Sequence, residues 1–255
     1  MMKTRLMSFN IRINVAVDGK HAWDYRKPHV FDFLVSESPD LIGFQEVNPQ
    51  MLLELKQALP LYESYGIARD GRGEGTPIFV KKDRFRVISS GTFWLSNTPD
   101  VESMVSGSHF PRIATYVVLE DDHHRTLFFN THLDYASDEV AFQQAKVLYQ
   151  KMIELKVIYD GSLLLTGDFN VYPSSKTIRY LTSKLNSIYE NDLNIGLTFH
   201  GFTNDTIGQP IDYIFSTSDI EITQFRIIHH KRANQYLSDH YPIAIDYEWI
   251  EGFQP

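Results

Sequence analysis

Polar side chains interrupt apolar, strand-like runs at six places: Asn10 ends MSFN, Glu46 ends GFQE, His132 ends FNTH, Asp168 and Asn170 end LLLTGDFN, Asp212 opens IDYIF, and Asp239 with His240 precede YPIAI. A lone Asn or Asp at a strand end bonds its own backbone and makes a turn. A whole set of such interruptions points instead to groups gathered on loops at one edge of a rigid sheet. Carboxylate and amide oxygens in a chain with no cysteine suit a hard cation such as Mg²⁺ or Mn²⁺, which keeps several waters and takes only a few protein oxygens. Glu46 is the leading ligand, because an unpaired carboxylate behind the apolar LIGF run is costly to bury. Histidines beside carboxylates stay charged near neutrality and attract phosphate. Hydrolysis of a phosphate ester has a very high uncatalysed barrier, so it needs several positive groups and an oriented water together.

The segment SDHYP, Ser238 to Pro242, sets an acid beside a histidine. Its Ser, Asp and Pro make a turn. A reactive Ser-His-Asp set is excluded within it, because neighbouring side chains on extended backbone point to opposite faces. Asp239 and His240 therefore each need partners from distant parts of the chain.

The elements that must position these groups are readable from periodicity. KTRLMSFN reads as a strand, YRKPHVFDFLV as a helix opened by Pro28 with Val30, Phe33 and Leu34 on one face, DLIGFQE as a strand, and Pro49 to Leu59 as a helix. From Leu61 to Leu133, GTPIFVKK, FRVISSGTFWLS, RIATYVVLED and HRTLFFNTHL alternate with turns and no helix, which predicts antiparallel hairpins. Ser137 caps a long helix carrying Ala141, Ala145, Leu148, Met152, Leu155 and Tyr159 at spacings of four and three. A strand SLLLTGDFN, a helix SSKTIRYLTSKL and the strands QPIDYIFS, IEITQFRII and YPIAIDYEW follow, with no repeat and no linker. Two helix-bearing halves flanking many strands suggest two sheets packed face to face with helices outside.

Composition bounds the rest. The 255 residues, 43% hydrophobic with three Trp, 14 Tyr and 17 Phe, are enough for a large core in one domain spanning 1–255. The net charge of −8 is spread along the chain and repels polyanions. The densest basic run, KKDRFR from Lys81 to Arg86, reads as a guarded hairpin edge. No stretch is apolar enough to span a bilayer and no signal-peptide core follows Met1, so a cytoplasmic protein without membrane contact is expected.

MSFNI, FQE, NTHLD, GDFN, IDYIF and SDHYP, between residues 7 and 242, resemble in kind and order the motifs of the endonuclease/exonuclease/phosphatase superfamily of metal-dependent phosphoesterases. The resemblance implies a four-layer α-β-β-α sandwich of two mixed β-sheets. It implies Asn10 and Glu46 as metal ligands with Asp239 as a further one, Asp168 as the base that deprotonates water, and Asn170 as a holder of water or a phosphate oxygen. Asp212 would pair with His240, whose imidazolium stabilises charge on phosphorus, so Asp239 faces metal while His240 faces phosphate. His132 matches a second histidine of the deoxyribonuclease and sphingomyelinase branches, with Glu74 in RDGRGEGTPIF as its partner, and Arg112 matches a phosphate-contacting arginine that is otherwise a solvated strand-end charge. GTFWLSNTP and TFHGF resemble a bacterial subgroup, in which Trp94, Phe199, His200 and Phe202 line the substrate side or else belong to an aromatic core. His21, His29, His109, His123, His124, His229 and His230 show no ligand spacing and read as surface or structural.

These readings imply a Mg²⁺-dependent or Mn²⁺-dependent hydrolase of a phosphorylated small molecule or a modest phosphodiester. A nuclease, acting as an abasic-site endonuclease or a 3′ exonuclease of the deadenylase kind, is the alternative that the charge disfavours. A catalytically inactive binding module is a third, and it predicts a missing catalytic position where none is missing.

Overall fold

The computed structural model describes residues 3–121, 123–189, 196–232 and 235–250. Its elements run β1 (Thr4–Asn10), α1 (Trp23–Glu37), β2 (Leu41–Gln45), α2 (Pro49–Ala58), β3 (Tyr62–Tyr65), β4 (Ile78–Lys81), β5 (Arg86–Trp94), β6 (Ile113–Glu120) and β7 (Arg125–His132). They continue with α3 (Asp138–Tyr159), β8 (Ser162–Asp168), α4 (Lys176–Thr182), β9 (Asn186–Ser187), β10 (Asp212–Ser216), β11 (Ile220–Ile227), β12 (Lys231–Arg232), β13 (Gln235–Tyr236) and β14 (Ile243–Trp249). One six-stranded sheet has the order β11-β14-β1-β2-β4-β3 and the other β5-β6-β7-β8-β10-β9. Each is mixed, with one parallel pair at its centre, β1 with β2 and β7 with β8, bridged by α1 and α3 respectively.

Alternation of side chains assigns every layer. In β1, Leu6 faces the other sheet while Met7 and Phe9 face outward, where Trp23, Val30, Phe33 and Leu34 of α1 and Met51 and Leu55 of α2 cover them. In β8, Leu164 faces inward, while Leu163 and Leu165 pack under Ala141, Ala145, Leu148 and Met152 of α3 and Ile178 and Leu181 of α4. The inner layer joins Leu6, Leu41, Ile78 and Ile245 to Val117, Phe128, Leu164 and Ile214 of the facing sheet. The arrangement is the expected α-β-β-α sandwich.

The cap read at Ser137 accepts a hydrogen bond from the first turn of α3, and Asn48 and Ser175, which the sequence reading did not single out, do the same for α2 and α4. Three expectations change. Helix α1 begins at Trp23, so Pro28 lies inside it, tolerated near the N-terminus because burial of Trp23, Arg26 and Val30 outweighs one lost backbone bond. Strands β4 and β5 belong to different sheets, so Lys81 to Arg86 crosses between layers instead of closing a hairpin, and its charges are tied locally, Arg84 to Asp40 at 3.2 Å and Lys82 to the Pro60 carbonyl at 2.9 Å. Tyr62–Tyr65 adds an edge strand that the turn-rich segment concealed. No helix among the described residues is long and apolar enough to cross a membrane.

Candidate active site

Parallel neighbours end at the same rim, so the central pairs bring four strand ends to one side of the sandwich. Along the inner faces the side chains grade from apolar to polar toward that rim: Leu6, Ser8 and Asn10 in β1, Phe128, Asn130 and His132 in β7, Leu164, Thr166 and Asp168 in β8. The middle tier ties the sheets together. Gln45 Nε2 donates to Asn130 Oδ1 at 2.7 Å, Thr166 Oγ1 donates to the same oxygen at 2.9 Å, and Asn130 Nδ2 donates to the Phe44 carbonyl at 2.7 Å. Only glycine fits at position 43, since a Cβ there would lie 2.3 Å from Thr166 Oγ1 and 2.6 Å from Asn130 Oδ1.

The rim itself joins both sheets. Asn10 Nδ2 donates to Glu46 Oε1 at 3.1 Å and to Asp168 Oδ2 at 2.9 Å, and Glu46 Oε2 accepts from the Ile13 backbone at 2.9 Å. Arg12, Glu46 and Asn170 all hold positive φ, at 56°, 62° and 54°. That conformation costs non-glycine residues on the order of 1 kcal/mol or more each and is retained where side chains must be aimed. The Arg12 guanidinium pairs with Asp18 at 3.0 Å and lies 3.6 Å from Asp239 and 3.9 Å from Glu46.

Asp168 is flanked in register by His132 on β7 and by Asp212 on β10. Its Oδ2 lies 3.5 Å from His132 Nε2 and 3.6 Å from His240 Nε2, while Asp212 Oδ2 accepts from His240 Nδ1 at 2.9 Å. Burial, then repulsion from Asp212, raises the Asp168 pKa to about 7. For His240 burial opposes the charge, yet the Asp212 and Asp168 carboxylates outweigh it and carry the pKa up to about 10, so the ring is an imidazolium at neutral pH. Burial, with Arg112 adding to it, pushes the His132 pKa well below the ordinary value. Its Nε2 accepts from Asn170 Nδ2 at 3.0 Å, which puts the ring proton on Nδ1.

Asn10, Glu46, Asp168, Asn170, His132, Asp212, Asp239 and His240 thus come together as the sequence suggests, with Asp239 and His240 turned to Arg12 and to Asp168 respectively. Glu74 joins them differently. It does not hydrogen-bond His132; it pairs with Arg69 and accepts from Arg112 Nη1 at 3.1 Å, because two buried guanidiniums compete more strongly for a carboxylate than a neutral imidazole does. Arg112 is correspondingly buried and not a solvated strand-end charge. Trp94 Nε1 donates to the Arg69 carbonyl at 2.9 Å, and its ring lines a neighbouring cavity of about 480 Å³. His200 is withdrawn into an aromatic cluster, 4.1 Å from the Tyr241 ring and 4.6 Å from Tyr236, where burial and then His240 lower its pKa to about 4. Phe202 likewise turns away, stacked on His21 at 4.5 Å, whereas Phe199, 45% exposed, stands 5.0 Å from the His240 ring.

Sequence reasoning missed Arg12, Arg69 and Arg26. Arg26 is fully buried and donates to the carbonyls of Ile11, Arg12, His21 and Leu237, stitching the loop after β1 to the SDHYP turn. Its signal was positional: Arg26 shares the helical spacing of Trp23, Val30 and Phe33, where a charge is out of place.

Among the described residues, Glu46, Glu74 and His132 have ligand atoms within 4.8 Å of one another, as do Asp168, Asp212 and His240. The charged His240 has no free lone pair, however, and Glu74 is held by two arginines, so the oxygens of Asn10, Glu46 and Asp239 are the set that fits a hard dication. Burial raises the pKa of both Glu74 and Asp239, and the Glu46 charge adds to each. Such crowding of negative charge is what an oxygen-seeking cation relieves.

The profile of the Endonuclease/Exonuclease/phosphatase family matches residues 7–240. The crystal structure of an endonuclease/exonuclease/phosphatase from Bacteroides vulgatus superposes with a TM-score of 0.89 at 31% identity, covering 98% of this chain and 100% of that one. A mannosyl-6-phosphatase from Bacteroides thetaiotaomicron superposes with a TM-score of 0.89 at 29% identity, covering 96% and 100%. Among curated sequences, uncharacterized protein L388 of Acanthamoeba polyphaga mimivirus is 24% identical over 257 residues, 89% of this chain and 93% of that protein.

Proposed function

Because this chain belongs to the Endonuclease/Exonuclease/phosphatase family, whose members hydrolyse phosphate esters, we propose that it is a phosphoesterase that activates a water with Asp168 and depends on Mg²⁺ or Mn²⁺. The reading rests on one observation above all: Asp168, with its proton affinity raised to about 7, sits between a charged His240 and a neutral His132. A base of that strength is suited to taking a proton from water near neutral pH. Asp212 holds His240 in its charged form, so the imidazolium offers Nε2–H to phosphoryl oxygens that gain charge in the transition state. Asn170 keeps His132 in one tautomer, and Asn10 orients Asp168 toward the rim. Asn10, Glu46 and Asp239 would hold the cation, which when bound polarises a phosphoryl oxygen as a Lewis acid. Arg112 is the group we assign to phosphate binding, with Trp94 and Phe199 as walls around the ester; Glu74 positions Arg112.

The net charge of −8 and the likeness to a mannosyl-6-phosphatase favour a small phosphomonoester over nucleic acid. A panel of phosphomonoesters and phosphodiesters, run beside plasmid nicking and oligonucleotide trimming with Mg²⁺ and with EDTA, tests this. Phosphomonoester turnover that chelation abolishes is the expected result. Nuclease activity alone would overturn the substrate preference, and inertness toward every ester would favour a binding module.

A further inference from the structure

Asp212 and His240 belong to different sheets: Asp212 opens β10 of one, and His240 comes just before β14 of the other. No ladder joins those strands, so the 2.9 Å contact from His240 Nδ1 to Asp212 Oδ2 has to be held from elsewhere. The TFHGF segment lies between the two. Thr198, wholly buried, accepts through Oγ1 from the Ile211 backbone at 3.0 Å and from the Asp212 backbone at 3.2 Å, while its carbonyl accepts from the Tyr241 backbone at 2.7 Å. Phe199 forms an antiparallel bridge with His240. His200 and Gly201 then both donate their backbone N–H groups to the Asp239 carbonyl, at 2.9 and 3.1 Å. Gly201 holds φ at 57°, a conformation that glycine adopts without strain.

One residue thus grips the start of β10 with its side chain and the SDHYP turn with its backbone. A hydroxyl oxygen has two lone pairs, and two amides leading into Asp212 share them here. The branched Cβ of threonine restricts χ1, so the grip is stiff. We infer that Thr198 is a positioning residue, which fixes the separation of Asp212 from His240 and with it the aim of the His240 ring at phosphorus; the inference rests on the phosphoesterase reading above. A ring that acts on charge developing in the transition state contributes to kcat more than to KM, and a misplaced ring should show the same division.

The test compares Thr198→Val, which keeps the shape and removes the acceptor, with Thr198→Ser and Thr198→Cys, which keep a strong and a weak acceptor. For each, kcat and KM are measured with Mg²⁺ on the preferred ester of the panel. NMR follows the His240 Nδ1–H proton as a signal downfield of the amides that His240→Ala abolishes. Thr198→Val should lower kcat by roughly tenfold to a hundredfold with KM within about twofold of native, and should broaden the downfield signal by exchange with water. Thr198→Ser should restore both, with Thr198→Cys between. In an Asp212→Asn background Thr198→Val should cost less than about twofold further, because the contact it serves is already broken. Native kcat and an unchanged signal in Thr198→Val overturn the inference, and so does the full loss repeated in the Asp212→Asn background. If thermal unfolding shows that Thr198→Val does not fold, equal kcat and equal signal in Thr198→Ser and Thr198→Cys overturn it instead. A native chain inert toward every ester overturns the phosphoesterase reading, and the proton signal then decides by itself whether Thr198 holds the pair.

Discussion

A carboxylate placed in register beside another carboxylate and shielded from water is costly to the fold, and the raised proton affinity of Asp168 is the measure of that cost. Its folded pKa lies above the unfolded one, so its unfavourable contribution appears as the pH rises toward and through about 7. Asp168→Asn removes the charge and keeps the shape. Thermal unfolding at neutral pH should shift upward, while turnover falls by roughly 10²- to 10⁴-fold, the range for losing a general base. His240→Ala should reduce turnover by a comparable roughly 10²- to 10³-fold but lower the melting temperature, because it strands Asp212 in the interior without its partner at an expected cost of about 1–3 kcal/mol. The two variants therefore agree in rate and differ in the sign of the stability change. If both melt alike, the charge balance assigned to the site is wrong.

At the level of elements, the site is only as well defined as the spacing between β2 of one sheet and β7 and β8 of the other. The Gly43 position controls that spacing, because Asn130 and Thr166 approach its backbone closer than a methyl group permits. Gly43→Ala should destabilise the protein by about 1–3 kcal/mol through overpacking, read as a lower denaturant midpoint, and should reduce kcat by displacing the Asn10–Asp168 bond across the sheets. Helix α4 depends on a smaller device. Asp138 at the start of α3 accepts from the Lys176 backbone at 2.8 Å, the Thr177 backbone at 3.1 Å and Thr177 Oγ1 at 2.7 Å. Burial alone would raise its pKa, but the bonds from Thr177 and Lys176 outweigh burial and lower it. With the folded value below the unfolded one, this stabilisation is complete above pH 4 and is lost as the pH falls through the folded pKa. Asp138→Asn should therefore lower stability at neutral pH and flatten the acid limb of the stability curve below pH 4, measured by denaturant titration across pH.

For the molecule as a whole, the inner layer of Leu6, Leu41, Ile78 and Ile245 against Val117, Phe128, Leu164 and Ile214 couples the two sheets, and the rim groups are drawn from both. A cation bound only by the folded state should raise the melting temperature, by roughly 5–10 °C at a hundredfold excess over its Kd. We expect Mg²⁺ or Mn²⁺ to do so in a single unfolding transition, EDTA to reverse it, and Glu46→Gln to remove most of the shift. A metal-independent melting curve would refute the assigned cation.

The order of the main strands and helices, the cap at Ser137, and the strand-end groups from Asn10 to His240 were determined by local patterns: period two, period 3.6 and the placement of polar residues where apolar runs stop. Those signals lie within a few residues of one another, so the chain displays them in one dimension. The pairing of Glu74 with Arg69 and Arg112, the withdrawal of His200 beside Tyr241, the passage from β4 to the second sheet and the anchoring of the Ser108 to Phe110 loop by Asp134 were decided only by tertiary structure. Each is the outcome of a competition between partners far apart in sequence, settled by which guanidinium, ring or sheet face desolvates it most favourably, and local pattern carries no record of that competition.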